Sequence, residues 1–340
     1  MDVAPTGELV VFDGASLVLI DPAGVTTPLF APPPGGFGEL VRVEPGGATA
    51  LLAVSPSYDL YRVDLVTGAA VIVANLPYVF DTIFAPSGDL FAVLGDATFS
   101  MTTLERLDLA GGSRELVANL PGATGPLAAL PSGDLVYGTN DFGRASQALL
   151  VFSAAQILGV LSGGPVLADT DATELITGLA GTSGLVREPG GNLLLVENDF
   201  SASSSRLVAV SPLGVSTPIA TAPAGAFLGR MGISASLSPF TAGGAPGPRV
   251  GVLMSDFFSF NAVLGLEPSR PGGPVFGDCD LDDQVDVVDA LLAARSGVGL
   301  TALAGLARAQ CDVDGGGAVD VLDSLAIAQF AAGLPVVLGY

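Results

Sequence analysis

Three residue types are missing from this 340-residue chain, which has no histidine, no lysine and no tryptophan. Without histidine the chain lacks the usual general base at neutral pH, the imidazole of a serine triad and the commonest transition-metal ligand. Without lysine it can form no Schiff base and has no P-loop lysine. Catalysis by carboxylates, or by a metal held by oxygen ligands, is what remains. The absences therefore argue against an enzyme without excluding one.

Charge of either sign is scarce, and most of it is negative. Charged residues make up 14% of the chain, hydrophobic residues make up 49%, and the formal net charge is −22. Before residue 277 there are 24 acids and 10 arginines, and after it 10 acids and 2 arginines. This balance repels nucleic acid and anionic lipid, and no apolar run approaches the roughly 18 residues of a membrane helix. We expect neither nucleic acid binding nor membrane insertion.

Carboxylates near the end of the chain are spaced as a calcium ion requires. The run DCDLDDQVDVVD at 278–289 puts Asp at positions one, three, five, nine and twelve, with the apolar Val285 at position eight. A calcium ion takes six to eight oxygen ligands, and a twelve-residue loop can supply them. A second copy runs from Asp312 to Asp323, and a helical pattern follows each copy. The pair predicts two calcium sites; the alternative is two solvated acidic loops.

Two such loops, each followed by one helix and each closed by Asp, resemble a type I dockerin over 277–335. The resemblance implies side-chain ligands, a backbone carbonyl and a water-mediated carboxylate in each loop. In the first loop these are Asp278, Asp280, Asp282 and Asp289, the Gln284 carbonyl, and Asp286 through water. In the second loop the same roles fall to Asp312, Asp314, the Ala318 carbonyl, Asp320 and Asp323.

Two departures from the dockerin pattern affect the expected affinities. Asp283 stands at position six, where the turn usually has glycine, and Asp is among the residues that tolerate a left-handed backbone. Gly316 stands at position five of the second loop and supplies no carboxylate. We therefore expect the first loop to bind calcium more tightly.

Dockerins contact their cohesin partner through positions ten and eleven, which here are the apolar Val287, Val288, Val321 and Leu322.

Both cysteines lie in this C-terminal region. Cys279 is inside the first loop and Cys311 directly precedes the second, so we expect a disulfide between them; two free buried thiols are the alternative. A disulfide and a calcium requirement both indicate an extracellular protein. The first residues, MDVAPTGE, lack the basic start and apolar stretch of a signal peptide.

A repeat organises the first 275 residues. Turns of the form Pro-x-Gly begin at residues 5, 45, 86, 131 and 189, with a degenerate copy at 246, and each leads into a strand-like run. A second strand, tight turn and strand follow in each unit, which is typical of a β-propeller blade. The sequence predicts a mostly β chain: a six-bladed β-propeller over 1–266, whose last blade the N-terminal strand completes, a linker over 267–276, and a small all-α dockerin-like domain over 277–340. A β-sandwich array is the alternative.

The PSGDL-type turns are similar to those of propellers in the regucalcin, gluconolactonase and NHL group. After the second strand of several units comes an acidic turn, and such turns repeat on one face of a propeller. Oxygens gathered there would suit a calcium ion, whereas the alternative is that these residues hydrogen-bond their own turns. The residues are Asp96, Asn140, Asp141, Glu197, Asn198, Asp199 and Asp256.

These observations favour a non-catalytic extracellular calcium-binding building block. In it the dockerin-like region links the propeller to other copies of itself or to a cohesin-type scaffold. Two alternatives remain: a lactonase, lyase or glycan-acting propeller tethered through its dockerin, or a propeller that binds a glycan or peptide. The absence of tryptophan weakens the glycan-binding alternative, because aromatic stacking would fall to five Tyr and seventeen Phe.

Overall fold

The computed structural model of the chain contains two units. Contacts between residues group Met1–Ile233 with Val252–Gly265, and Ser234–Gly251 with Leu266–Tyr340. Within the described residues no helix has the length and apolar character needed to cross a membrane. The predicted linker lies almost entirely outside the described part of the chain. The structure describes all residues except 5–7, 22–24, 142, 145, 188–191, 223–226, 234–251, 257–262, 267–275, 281–284, 302, 304, 315–317, 333, 335–337 and 339–340.

The first unit is built of antiparallel sheets formed by consecutive strands. The first sheet contains β1 (Asp2–Val3), β2 (Leu9–Phe12), β3 (Leu17–Ile20) and β4 (Thr26–Phe30). The second contains β5 (Phe37–Val43), β6 (Thr49–Ser55), β7 (Asp59–Asp64) and β8 (Ala70–Asn75). The third contains β9 (Val79–Phe84), β10 (Leu90–Gly95), β11 (Met101–Leu107) and β12 (Arg114–Pro121).

The later sheets follow the same plan with one insertion. The fourth begins with β13 (Leu127–Ala129), β14 (Leu135–Gly138) and β15 (Gln147–Phe152). An insertion with helix α1 (Ala154–Leu161) and strand β16 (Leu167–Ala168) then precedes the last strand of that sheet, β17 (Thr173–Leu179). The fifth contains β18 (Thr182–Arg187), β19 (Leu193–Asp199), β20 (Ser204–Val210) and β21 (Ser216–Thr221), and the sixth contains β22 (Leu228–Ile233), β23 (Val252–Asp256) and β24 (Val263–Leu266).

The sheets are arranged as the blades of a propeller. Strand β5 approaches β1 and β9, and the innermost strands then follow in chain order from β9 through β13 and β18 to β22, which approaches β1. Apolar residues fill the space between consecutive blades: Val10 and Leu17 of the first blade pack with Val41 and Leu52 of the second. Buried apolar area of this kind is the main stabilising term of such an array.

Two details of the propeller prediction are wrong. The structure has five blades of four or more strands, and the sheet in the sixth position has only three strands in the described residues, so six complete blades are not present. The degenerate sixth turn, which begins at residue 246, lies outside the described residues. The N-terminal strand also does not complete the last blade: β1 pairs with β2, with Asp2 opposite Val10.

The Pro-x-Gly turns show why the repeat folds as predicted. Gly88 and Gly133 have φ angles of 89° and 87°, in the left-handed region that favours glycine. Each donates its N–H to the carbonyl three residues earlier, Ala85 and Leu130 respectively. Because the turn depends on residues next to each other in sequence, it could be recognised from sequence alone.

The insertion of the fourth blade covers the outer edge of the third. Helix α1 begins with a capping box in which the Ser153 hydroxyl accepts from the Gln156 N–H and the Gln156 side chain accepts from the Ser153 N–H. Ile157 of this helix is buried in the core of the third and fourth blades. Strand β16 pairs in parallel with β12, which would otherwise be an exposed edge strand.

Close to the innermost strands, one arginine joins consecutive blades. Arg42 donates from Nη2 to Oδ1 of Asp81 at 2.9 Å, and its Nη1 lies 3.6 Å from Oδ2 of Asp2. The other Asp81 oxygen accepts the N–H of Leu127 at 3.0 Å. Burial acts to lower the pKa of Arg42, but the charges of Asp2 and Asp81 outweigh it, and the pKa is raised. These contacts link the first four blades.

The second unit is helical in its described part. It contains α2 (Val287–Gly297), the short α3 (Gly305–Cys311) and α4 (Val321–Ala331). Ala290 and Ala293 of α2 pack with Ile327 of α4, and the Ser324 hydroxyl donates to the Ala290 carbonyl at 2.9 Å. The predicted disulfide is present: Cys279 is bonded to Cys311, with 5.1 Å between their Cα atoms.

Replacement of Arg42 by Met is expected to destabilise the propeller by about 3–5 kcal/mol, because it leaves the carboxylates of Asp81 and Asp2 without their cation. The matched control is Arg106→Met, whose ion pairs with Asp89 and Glu115 are more exposed and should contribute less than about 1 kcal/mol. Differential scanning calorimetry of the two variants checks this. Equal losses would show that the Arg42 contacts are not what joins the blades.

Candidate metal centre

The first predicted calcium loop gathers three carboxylates. One oxygen from each of Asp278, Asp280 and Asp289 lies within 4.8 Å of the others. Asp278 and Asp289 are 0% and 1% exposed, whereas Asp280 is exposed. These are positions one, three and twelve of the loop. Carboxylates this close repel one another unless a proton or a cation lies between them.

The second loop repeats the arrangement. Oxygens of Asp312, Asp314 and Asp323 also lie within 4.8 Å of one another, again at positions one, three and twelve and again with the middle residue exposed. The carboxylates at the three equivalent positions are therefore gathered in the same way in both copies of the loop.

The position-twelve carboxylate holds each loop closed. Oδ1 of Asp289 accepts the N–H groups of Cys279 at 2.6 Å and Asp280 at 3.1 Å, and its Oδ2 accepts the N–H of Asp286 at 2.8 Å. Asp323 does the same in the second loop, with the N–H groups of Val313, Asp314 and Asp320 at 2.8, 3.2 and 2.8 Å. Each carboxylate thus joins the start of its loop to the start of the following helix.

The predicted position-nine residues begin the helices. Oδ1 of Asp286 accepts the N–H of Val288 at 2.6 Å, and Oδ1 of Asp320 accepts that of Leu322 at 2.7 Å. Asp is a favoured N-cap residue because it satisfies an N–H that has no partner within the helix. Contact with an ion through water, as predicted for both, stays a prediction.

The surroundings of Asp323 in the second loop disfavour an uncompensated negative charge. Burial raises the pKa of Asp323, and the charge of Asp314 raises it further, against the lowering effect of the N–H groups of Asp320, Asp314 and Val313. The donors are all carboxylate oxygens, and both cysteines are in the disulfide, so no thiolate is present. An all-oxygen donor set suits a hard cation such as Ca²⁺ or Mg²⁺ and fits the predicted ion.

Some predicted ligands are outside the described residues. Asp282 and Gln284 of the first loop belong to this group, as do the departures at Asp283 and Gly316. Ala318, the predicted carbonyl ligand of the second loop, is described and exposed. The ligands that these residues would add stay predictions.

In the propeller, the two asparagines of the predicted acidic ring link blades. Nδ2 of Asn140 donates to the carbonyls of Thr124 and Thr182 at 3.0 and 2.7 Å, and its Oδ1 accepts the Thr182 N–H at 2.9 Å. Nδ2 of Asn198 donates to the Ser183 hydroxyl and the Leu228 carbonyl at 2.6 and 2.8 Å. Each amide therefore contacts the blade that follows its own.

The acids of that ring are engaged locally. Oδ1 of Asp141 accepts the Gly143 N–H, and Asp199 accepts the N–H groups of Ser201 and Ala202. Glu197 accepts the Ala180 N–H and pairs with Arg206 at 2.7 Å. Asp256 is opposite Leu228 in β23, but its side chain is not among those described. Among the described acids of the ring, no three come close enough to one another to share an ion, which favours the alternative of local hydrogen bonds for these acids.

Asp96 is the clearest of these turn residues. It accepts the Ser100 N–H at 2.9 Å and the hydroxyls of Ser100 and Thr98 at 2.8 and 2.9 Å. The N–H of Ser100 is the main cause that lowers the pKa of Asp96, from 3.8 to about 2. A carboxylate so stabilised is satisfied within its own turn.

Neither of two cavities lined by described residues of the first unit contains a member of the predicted ring. Beside Arg42 and Asp81 there is a space of about 10 Å³, lined also by Met1 and Leu185, which holds at most one water molecule. A larger cavity of about 660 Å³ lies between the second and third blades, and its arginines, Arg62 and Arg106, are paired with carboxylates.

Sequence reasoning missed the network of Arg42, Asp2 and Asp81. The available signal was a charged residue inside each of the apolar runs ELVRV and VFDTIF.

Comparisons with known proteins identify the fold. No protein-family model and no curated protein sequence matches the chain. Among solved structures it is similar to regucalcin, described as a calcium-binding protein, from Agrobacterium tumefaciens, with 15% identity, a TM-score of 0.50, and coverage of 75% of this chain and 80% of that one. It is also similar to a gluconolactonase from Xanthomonas campestris, with 14% identity, a TM-score of 0.50, and coverage of 66% and 75%. These likenesses support the propeller; the dockerin resemblance of 277–335 stays a prediction.

The Asp96 turn predicts a pH effect. A depressed pKa means that the ionised Asp96 contributes stability above pH 4, which is lost as the pH falls towards 2. Asp96→Asn should therefore show a smaller loss of stability between pH 4 and pH 2 than the parent chain, and Thr98→Val, which removes one hydroxyl donor, should be intermediate. Thermal unfolding at the two pH values measures this. If Asp96→Asn lost as much stability between pH 4 and pH 2 as the parent chain does, the prediction would be contradicted.

Proposed function

We propose that the second unit binds two calcium ions and that, when loaded, it connects the propeller to another protein. The observation that carries the proposal is the pair of equivalent carboxylate triads, each with its oxygens within 4.8 Å. The two loops share the same internal hydrogen bonds. A duplicated arrangement that gathers like charges at both copies is expected where a cation is the common ligand.

Calcium would act mainly by offsetting the repulsion within each triad. In the first loop the ligand candidates are Asp278, Asp280 and Asp289, and in the second Asp312, Asp314 and Asp323. An ion that binds only the folded form stabilises it by mass action. The unit has a small apolar core around Ala293 and Ile327, so its stability should depend strongly on the ion.

The connecting role rests on the residues at the helix starts. Val287 and Val321 are 73% and 72% exposed, and Val288 and Leu322 beside them are exposed as well. The same places carry partner contacts in dockerins, which is the basis for proposing a cohesin-like protein or a second copy of this chain as the partner. The disulfide supports an oxidising, extracellular location, where calcium is plentiful.

A tethered propeller enzyme is the second candidate. The similar structures named above include a gluconolactonase, and this favours an enzymatic propeller over a purely structural one. The chain's own residues offer less support, because the acidic ring of the propeller makes local bonds and the space at Arg42 and Asp81 is small. Hydrolysis of gluconolactone by the full chain with added divalent cation is the direct test; turnover above the metal-only rate would establish this second function.

Calcium titration of the full chain should show two ions bound. Replacement of Asp278 or Asp289 by Ala should weaken calcium binding in the first loop by at least about tenfold, because the loss of a ligand should cost no less than the loss of a group that orients one. The same change at Asp312 should have the smaller effect on the overall affinity, since the second loop lacks a carboxylate at Gly316. Isothermal titration calorimetry measures both.

The control for this titration is Asp134→Ala, a turn residue of the propeller that accepts the Ser132 hydroxyl and the Ala154 N–H. It should leave the calcium isotherm unchanged. Equal losses at Asp278 and Asp312 would refute the ranking of the loops, and an isotherm without calcium binding would refute the proposed function.

Calcium should also promote association. We expect the calcium-loaded chain to form dimers or larger species, or to bind a cohesin-type module, and the chelated chain to do neither. Val287→Asp together with Val321→Asp should abolish the association, because each places a charge in an apolar contact. Val298→Asp is the matched control, since Val298 is 71% exposed but lies at the end of α2. Sedimentation velocity separates these outcomes; a calcium-loaded monomer that binds no cohesin-type module contradicts the connecting role.

A further inference from the structure

The disulfide lies against the ligands of both loops. Cys279 stands between Asp278 and Asp280, and its N–H donates to Oδ1 of Asp289 at 2.6 Å. Its backbone therefore touches or adjoins every member of the first triad. Cys311 is the last residue of α3 and directly precedes Asp312, the first ligand candidate of the second loop. One S–S bond thus connects the beginning of both loops.

The two half-cystines are held in the core of the unit. Cys279 and Cys311 are 2% and 0% exposed, and they belong to the same apolar cluster as Ala293 of α2 and Ile327 of α4. A backbone bond runs alongside the disulfide, from the Gly277 N–H to the Gln310 carbonyl at 2.7 Å. The segments that enter the two loops are therefore fixed to each other and to both helices.

The arrangement is not symmetric between the loops. In the second loop Val313 takes the place of Cys279, and its N–H donates to Asp323 at 2.8 Å. Val313 carries no cross-link, so the disulfide reaches the second loop only through Cys311, the residue before the loop begins. In the first loop the disulfide is attached to Cys279, which lies between the ligand candidates Asp278 and Asp280.

We propose that the Cys279–Cys311 disulfide is a positioning element that couples the two calcium sites. Its reduction by a dithiol lowers the calcium affinity of both loops, and more in the first. In that step the S–S bond breaks, the two cysteines take up two electrons and two protons as thiols, and the dithiol is oxidised to its own disulfide. Groups that orient metal ligands typically change affinity by about 10–100-fold, and we expect at least about tenfold in the first loop. The proposal rests on the proposed calcium function.

Coupling of this kind is reciprocal. If the disulfide raises calcium affinity, calcium must raise the resistance of the disulfide to reduction by the same factor. A disulfide that only stabilised the fold, without acting on the ligands, would raise the stability of the loaded and the chelated chain alike and would leave the loop-to-loop affinity ratio unchanged.

The first experiment measures the two loops separately in the full chain. Asp312→Asn with Asp323→Asn leaves the first loop intact, and Asp278→Asn with Asp289→Asn leaves the second. In each background, Cys279→Ser with Cys311→Ser is compared with the cysteine-containing chain by calcium titration calorimetry. The expected result is a loss of about tenfold or more in the first loop and a smaller loss in the second. Ser324→Ala, which removes the bond between the helices, is the control and should not change the ratio of the two affinities.

The second experiment needs no cysteine variant and so does not depend on its folding. The unmodified chain is equilibrated with a dithiol redox buffer, with calcium or with chelator, and the fraction of reduced protein is determined by thiol alkylation and mass spectrometry. Calcium should shift the equilibrium towards the disulfide by about tenfold or more. An equilibrium that calcium does not move, or equal affinities with and without the cysteines, overturns the inference while the calcium function stands. Absence of calcium binding by the oxidised chain overturns the calcium function itself.

Discussion

The guanidinium of Arg42 is the contact on which the first half of the propeller depends. It lies between Asp81 and Asp2, and Asp81 also accepts the N–H of Leu127, so four consecutive blades are joined at one point. Asn140 then links the fourth blade to the fifth, and Asn198 links the fifth to the sixth sheet. Because β1 pairs with β2 within the first blade, no sheet formed by the described residues joins the sixth sheet to the first. Side-chain bonds between neighbours carry the polar connection that a shared strand would otherwise supply.

The two units treat buried charge in opposite ways. The propeller pairs its buried charges within the chain, as Arg42 does with Asp81 and Glu197 does with Arg206. The second unit instead brings like charges together, three carboxylates at each loop. A buried charge is tolerated when it is paired or bound to a metal; the propeller shows the first arrangement, and the triads of the second unit are the kind of group for which the second is needed.

How much the sequence could predict follows from how local each feature is. The Pro-x-Gly turns and the spacing of the triads involve residues close in sequence, and pattern alone located them. The sequence pattern predicts a helix after each twelve-residue loop, whereas the helices begin within the loops, at Val287 and Val321, because Asp286 and Asp320 cap them. The role of Asn140 and Asn198 could not be obtained that way, because an amide at the end of a strand can hold an ion or reach the next blade, and its partner, such as Thr182, is 42 residues away. The disulfide joins residues 32 positions apart, yet it could be predicted from the sequence. The chain has only two cysteines, and each is in or next to one of the duplicated loops.

The residue types that the chain lacks and the geometry that it has lead to the same part of the molecule. Histidine and lysine are absent, so an imidazole base and a Schiff-base lysine are not available to this chain. In the propeller the predicted oxygen donors serve turns and blade links, as Asp96 and Asn198 show. In the second unit the donors converge, and a disulfide stands directly against them. Likeness to regucalcin and gluconolactonase shows a shared fold, and a fold can carry many activities. Functional inference for this chain therefore has to start from the two loops, where its acidic side chains are brought together at the cost of mutual repulsion.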